Sequence, residues 1–243
     1  MNKIELLAPA GNLERLKVAL AYGADAVYAG GNAFSLRMRA KNFSYEDLAR
    51  GIEFTHSQGK KFYLTANVIL HNDDIEDFIA FLKDANRLCP DGLILSDPGA
   101  FHLAKEFAPH IPIHISTQAN NVNYETVNFW HRLGAQRVVL ARELTLKDVK
   151  TIRKKTDPDL ELEAFVHGAM CISYSGRCLL SSYMTGRESN AGDCAHPCRW
   201  NYTLEEEKRP GEHFPVFENE RGTFIFNSKD MCMIEHIPEL INS

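Results

Sequence analysis

Cys171, Cys178, Cys194 and Cys198, four of the six cysteines in the chain, crowd into residues 163–198 with the spacing C-x6-C-x15-C-x3-C. Thiolates are soft ligands, and four of them suit a tetrahedral zinc ion or an iron-sulfur cluster. Structural zinc usually takes tight cysteine pairs, and only Cys194-Ala195-His196-Pro197-Cys198 is tight. The wider first pair, with Gly176 between its members, suits a larger cluster. Spacing alone leaves iron-sulfur, zinc and thiols acting singly all open. His196 is an alternative zinc ligand, or a residue facing solvent beside one. Cys232 is a candidate fifth thiol. Cys89, ending an apolar helix before Pro90, reads as a small buried hydrophobe.

Other side chains converge on the same region. Glu163, Phe165 and His167 alternate along one strand and so share a face. His167 is then an acid, a base or a hydrogen-bond donor beside the thiols, with Glu163 the second catalytic candidate; the bland alternative is a barrel histidine satisfied by a neighbour. Asn67, Gln118 and Glu143 fall at the ends of the third, fifth and sixth strands, where polar side chains face a ligand. Arg37 and Arg39 form a guanidinium pair able to grip two carboxylates or phosphates, or else a solvated loop. Arg142, Arg187 and Arg199 are lesser candidates of that type, and the run Arg153-Lys154-Lys155 reads as a solvated helix face. The chain carries no G-x-S-x-G, H-E-x-x-H, Walker or dinucleotide-binding glycine motif, which removes support for the common serine hydrolases, zincins and nucleotide binders.

The elements that must position these groups alternate strand with helix. Strands are expected at 4–8, 26–29, 61–70, 92–95, 113–116, 137–141 and 162–166. Asn12 caps the first helix, Ser44-Tyr45-Glu46-Asp47 resembles a capping box, and Thr145 caps the sixth helix. Helices are expected over 73–89, after a Ser96-Asp97-Pro98-Gly99 turn over 100–108, and over 124–133 with Val127, Trp130 and Leu133 inward. A helix-Gly-Ala-x-x-Val-strand junction occurs twice, as YGADAVYA and LGAQRVVL, and points to repeated βα units. Seven such strands without a reversal predict an α/β fold of the TIM-type (β/α)8 barrel class, incomplete at its C-terminal end, with the cysteine-rich segment inserted after strand seven. That segment then lies over the barrel mouth. Residues 203–220 read as a polar excursion, and the tail as a strand at 223–227 and a helix at 229–241.

The 243 residues are 44% hydrophobic, enough for one domain, and the net charge of −5 does not advertise a nucleic-acid binder, so RNA contact needs a local patch. The N-terminus lacks a cationic segment followed by an apolar core, and no apolar run approaches the ~20 residues that span a bilayer. The expected location is the cytoplasm, without membrane, where a cysteine cluster argues for metal or redox chemistry over disulfides.

The stretch EAFVHGAMCISYSGRCLLS resembles the signature of the collagenase-like peptidase family of unknown catalytic type. LLAPAG, YGADAVYAG, SDPG, the QAN of Gln118 to Asn120, and GDCAHPCRW followed by FNSKD are similar to the same family. Within it the likeness is greatest to the tRNA hydroxylation branch. That resemblance implies an oxygen-independent, prephenate-dependent hydroxylase forming 5-hydroxyuridine at the wobble position of tRNA. It implies a 4Fe-4S cluster on Cys171, Cys178, Cys194 and Cys198, with Cys232 outside the ligand set, and relatives acting on ribosomal RNA or the ubiquinone ring. Arg37 and Arg39 become the expected partners of the prephenate carboxylates. Family members continue into a further strand and a C-terminal domain, so residues 1–243 are expected to be one barrel domain with those parts absent. Two rivals stand beside this expectation: a collagenase-like peptidase, and a zinc-stabilised RNA-binding module or assembly subunit, with a protein partner or a homo-oligomer.

Overall fold

The structure is a computed structural model, and it describes residues 4–35, 43–200, 202–215 and 230–242. Its frame is seven strands, β1 (Leu7–Pro9), β2 (Ala26–Gly30), β3 (Lys61–Thr65), β4 (Gly92–Leu95), β5 (Ile113–Ile115), β6 (Arg137–Val139) and β7 (Glu161–Glu163). They pair in parallel and in chain order, so the sheet curls into a half-barrel with β1 and β7 as its edges. Six helices fill the connections: α1 (Leu13–Ala21), α2 (Tyr45–Ser57), α3 (Ile75–Leu88), α4 (Pro98–Phe107), α5 (Tyr124–Leu133) and α6 (Leu146–Lys155). This is the TIM-type architecture expected from the sequence.

Strand alternation divides the side chains into two sets. Val27, Phe62, Leu64, Leu93, Ile115 and Val138 face outward and pack with Leu16, Phe78, Leu82, Phe101 and Trp130 of the helices into the main core. Burying each such side chain is worth about 1.5–3 kcal/mol. The inward set begins with Ala26, Tyr63 and Ile94 and then turns polar, with His114, Arg137, Glu161 and Glu163. The helices start where capping chemistry dictates. Asn12 accepts from the Arg15 N–H (2.8 Å), Ser44 from Asp47 (3.1 Å) and Asn123 from Thr126 (2.9 Å), and Thr145 forms a reciprocal box with Asp148. Both Gly-Ala junctions end their helices alike. Gly23 and Gly134 take left-handed φ of 103° and 99°, and the next N–H returns to the carbonyl five residues back, Ala24 to Ala19 and Ala135 to Trp130.

Several expectations are corrected. Ser96-Asp97-Pro98-Gly99 is not a separate turn, because Asp97 caps α4 through the Ala100 N–H (2.9 Å) and Pro98 occupies its first turn. Leu133 is 40% exposed: three residues past Trp130 the helix has rotated by about 60° off the buried stripe. Cys89 is exposed, since it takes the left-handed cap of α3 (φ 51°) and its thiol turns back onto the Asn86 carbonyl (3.2 Å). Strand three stops at Thr65, and β7 stops at Glu163, three residues short of expectation. His167 therefore lies outside the barrel sheet, in β8 (His167–Gly168), which pairs antiparallel with β11 (Met231–Cys232). The polar excursion contains a hairpin of β9 (Thr203–Glu205) and β10 (His213–Pro215). The tail helix α8 (Ile237–Ile241) is short because Pro238 sits in its first turn and disfavours helix upstream. The expected strand at 223–227 lies outside the described residues. Among those described, no helix is long and apolar enough to cross a membrane.

Candidate metal centre at the barrel mouth

Polar groups gather where the strands end. Past β3, Asn67 Nδ2 donates to Ser116 Oγ (3.3 Å) and to Gln118 Oε1 (3.2 Å), and Ser96 Oγ donates to the Asn67 carbonyl (2.8 Å). Ser116 Oγ also donates to Gln118 Oε1. The ends of β3, β4 and β5 are thus cross-linked by one network, and both Asn67 and Gln118 belong to it. Asn121, wholly buried, donates to the carbonyls of Ser116 (3.3 Å) and Val139 (3.0 Å), which carries the bracing on to β6.

The C-x6-C loop rests on this network. Gly176 packs so closely on Gln118 that a Cβ there would meet Gln118 Cγ at 3.1 Å, and its φ of 74° disfavours any other residue. Arg142, just past β6, stacks over Phe165 (5.6 Å to the ring centre) and binds the Ala169 carbonyl (2.5 Å), Cys171 Sγ (3.4 Å) and the buried Ser175 Oγ. A single guanidinium therefore ties β6 to the first cysteine. Helix α7 (Leu180–Thr185) follows Cys178 and organises the second pair. The fully buried Ser181 Oγ accepts the Ala195 N–H (3.0 Å), Ser189 Oγ donates to the Cys178 carbonyl (2.8 Å), and Arg187 bridges Asp193 (2.9 Å) and the Cys194 carbonyl (3.3 Å). Ser181→Ala leaves that amide without a partner in a buried site. It should lower stability by about 1–3 kcal/mol in urea unfolding, and an unchanged midpoint would refute the assignment.

The four thiols are free and partly exposed. Burial raises the Cys198 thiol above its ordinary value, and the charges of Cys171, Cys194 and Cys178 raise it further against the opposing pull of Arg199. Cys198 thus lies within electrostatic reach of the other three cysteines. The backbone N–H of His196, a residue held at φ 55°, already donates to Cys194 Sγ (3.3 Å). Among the described residues no group of three or more His, Cys, Asp or Glu closes on a single metal ion.

At the opposite end of the barrel lies an ion group. Glu5 precedes β1, Lys61 opens β3, Arg137 opens β6 and Glu161 opens β7, which places the group at the floor. The 8%-exposed Arg137 side chain meets Glu5 (2.8 Å), Glu161 (2.6 Å) and Glu163 (3.4 Å), and lies over the Tyr63 ring. Tyr63 OH donates to Glu5 (2.8 Å), and Lys61 pairs with it (3.1 Å). Burial alone would raise the Glu5 carboxyl, but Arg137, Tyr63 and Lys61 overcome it and hold it below the ordinary value. Glu163 is raised, because burial outweighs its weaker contact with Arg137. His114, edge-on to Tyr63, is pushed down to about 3 by burial first and then by Arg137, so it stays neutral.

A model of peptidase family U32 matches residues 11–243. The chain belongs to that family. The tRNA hydroxylation protein P of Escherichia coli is 44% identical over 279 aligned residues, covering 99% of this U32 chain and 61% of that protein. The 23S rRNA 5-hydroxycytidine synthase of the same organism is 39% identical over 207 residues, covering 85% of this chain and 31% of the synthase. The chain thus spans less than two thirds of the length of either relative. A solved U32 peptidase shares the fold, with a TM-score of 0.57 at 17% identity, over 68% of this chain and 70% of that one.

The U32 chain joins Asn67 and Gln118 in one network and seats the loop between Cys171 and Cys178 on it. Glu143 is exposed after β6, and His167 is exposed with its backbone beside Cys232. The Glu163 carboxylate is drawn to the floor. Arg37 and Arg39 lie outside the described residues. Sequence reasoning ranked Arg142 low and passed over Ser175, Ser181 and Arg137. An arginine directly after a strand, followed by a polar residue within the cysteine loop, was the available signal for Arg142.

Proposed function

We propose that the protein is an oxygen-independent, prephenate-dependent RNA hydroxylase. Its product is 5-hydroxyuridine at the wobble position of tRNA, and Cys171, Cys178, Cys194 and Cys198 hold a 4Fe-4S cluster. The observation that carries this reading is the seating of the C-x6-C loop on the strand ends, by Arg142 on Cys171 (3.4 Å) and by Gly176 against Gln118, in a chain whose relatives are named for hydroxylating tRNA and ribosomal RNA. The donor set fits the group: four free thiols, one already accepting a backbone N–H. A cubane cluster spreads its thiolates over four irons, whereas zinc gathers them on one. When bound, such a cluster supplies redox-active iron at the mouth.

The chain's own residues do the rest. Arg142 and Gln118 fix the height of the C-x6-C loop above the strands, and the Asn67–Ser116–Gln118 network presents amides to whatever enters the mouth. His167 is the proposed group that gives or takes a proton there. Glu163 acts on the site only through the floor group that holds it. Arg37 and Arg39 grip the prephenate carboxylates in bidentate fashion.

The test is nucleoside analysis of tRNA from cells lacking the gene and complemented with variants. Wild type should restore 5-hydroxyuridine, while Arg37→Ala/Arg39→Ala should abolish the prephenate-supported hydroxylation and leave iron content unchanged. Unaltered hydroxylation by the double variant would sink the carboxylate assignment, and no product from wild type would sink the reading. The family's name favours a peptidase as second reading; it requires peptide cleavage that survives loss of Cys194 and Cys198.

A further inference from the structure

Beside the C-x6-C loop lies an open cleft of about 350 Å³ lined by Asn120, Val122, Ser173, Tyr174 and Arg177. From its composition we infer that this cleft receives one unpaired nucleobase of the RNA, stacked on Tyr174, with an N–H of the base answered by Asn120 and its phosphate by Arg177. The inference rests on the RNA reading above and adds to it the place and the residues of base binding.

Each wall has a matching property. The Tyr174 ring is 52% exposed and Val122 is 37% exposed, so an aromatic face and an aliphatic face both border the opening. Unpaired bases stack on such faces, and proteins that read RNA splay bases out to do it. Arg177 is exposed and closes a tight turn whose N–H returns to the Tyr174 carbonyl (3.1 Å), and both residues line the cleft. A guanidinium beside a stacking face supplies the phosphate contact that stacking lacks. Asn120 is the reading element. Its Nδ2 is committed to the Gln118 carbonyl (2.9 Å), while its Oδ1 is buried with no hydrogen-bond partner. A buried acceptor left unanswered is costly, and a ligand N–H, such as N3–H of uracil, relieves that cost. Asn120 holds a left-handed φ of 57°, a backbone conformation that asparagine adopts more readily than most residues.

The cleft is also built into the candidate metal centre. Ser173, Tyr174 and Arg177 all lie between Cys171 and Cys178, and the loop carrying them is seated by Arg142 on Ser175 and by Gly176 on Gln118. Asn120 stands two residues past Gln118, a member of the strand-end network. A base held here is therefore a few residues from the cysteines on one side and from the mouth amides on the other.

The test measures binding by fluorescence anisotropy. The full chain, purified anaerobically, is titrated with three stem-loop RNAs that carry uridine, 3-methyluridine or an abasic site at one unpaired loop position. Wild type should bind the uridine loop about tenfold or more tighter than the abasic one. It should also prefer uridine to 3-methyluridine, which stacks but lacks the N3–H. Tyr174→Ala should erase the uridine advantage over the abasic loop, and Tyr174→Phe should keep it, which separates lost stacking from a collapsed loop. Asn120→Gly, compatible with the left-handed backbone, should erase only the preference over 3-methyluridine. Arg177→Ala should weaken all three loops alike and lower the salt slope by about one. Variants that keep both discriminations overturn the cleft assignment alone. A wild-type chain that binds none of the three loops overturns the cleft and the RNA reading together.

Discussion

Serine at any one of Cys171, Cys178, Cys194 or Cys198 should strip the anaerobically purified protein of iron and labile sulfide and lower hydroxylation by about two orders of magnitude or more. The expectation follows from the way the four thiols are held. Each is set by a different anchor: Cys171 by Arg142, Cys178 through its carbonyl by Ser189, Cys194 by the Ser181 and Arg187 contacts, and Cys198 in a short turn over 197–199 that Tyr202 grips at the Pro197 carbonyl (2.6 Å). Among the described residues, neither Cys89 nor Cys232 has such anchoring. Cys89 caps α3, and Cys232 sits in β11 opposite His167. Serine at either of those two positions should leave the metal content unchanged. Iron, sulfide and zinc analysis of all six variants decides the matter. Full iron in a Cys194→Ser protein would refute the ligand set, and one zinc per chain without sulfide would replace the cluster by the single-ion alternative.

Arg137→Met should destabilise the fold by about 3 kcal/mol, the lower end of what breaking a buried ion group costs, since Glu161 keeps 42% of its side chain exposed. The methionine fills similar volume, so the loss is electrostatic: Glu5, Glu161 and Glu163 are left facing one another across the floor, with Lys61 their remaining cation among the described residues. The pH dependence has a definite sign. In the wild type, the lowered Glu5 carboxyl contributes stability that is present above its unfolded pKa and lost as pH falls through the folded value. The raised Glu163 carboxyl contributes in the other direction, with stability present below its unfolded pKa and lost as pH rises through the folded one. Removing the guanidinium deletes the first contribution and enlarges the second. The deficit of Arg137→Met should therefore be greater at about pH 8 than at about pH 5, and Arg137→Met/Glu163→Gln should recover part of it. Urea unfolding at the two pH values reads this directly. An equal deficit at both would show that packing over Tyr63, and not charge, is what Arg137 supplies.

Local rules made the barrel's repeating unit legible. Asn12, Ser44, Asn123 and Thr145 start their helices as caps, and Gly23 and Gly134 end theirs, because capping depends on chemistry within a few residues. The same locality explains the misses. Whether Ser96 to Gly99 is a turn or a helix start depends on whether Pro98 is taken as a breaker or as a first-turn residue, and only the seating of α4 on the sheet decides. The expected seventh strand ran past Glu163 because its alternation of side chains continues. The structure ends it there: the Leu140 N–H still donates to the Glu163 carbonyl (2.8 Å), but the next N–H, of Ala141, turns away to the Asn121 carbonyl (3.2 Å).

The cysteine spacing, the βα alternation and the family signature were contained in the residues themselves, and they determined the architecture and the thiols to watch. Which groups those thiols touch was not. Arg142 meets Cys171 across 29 positions, and Arg137 meets Glu5 across 132. Contacts of that range have no local pattern, since they follow from how far the sheet curls and which strand ends it brings side by side. The tertiary structure alone sent the Glu163 carboxylate to the floor, left His167 outside the barrel, and set Tyr174, Arg177 and Asn120 around one cleft. The physical reason is common to all three: a β-strand's alternation says which residues share a face, and only the closure of the sheet says what that face meets.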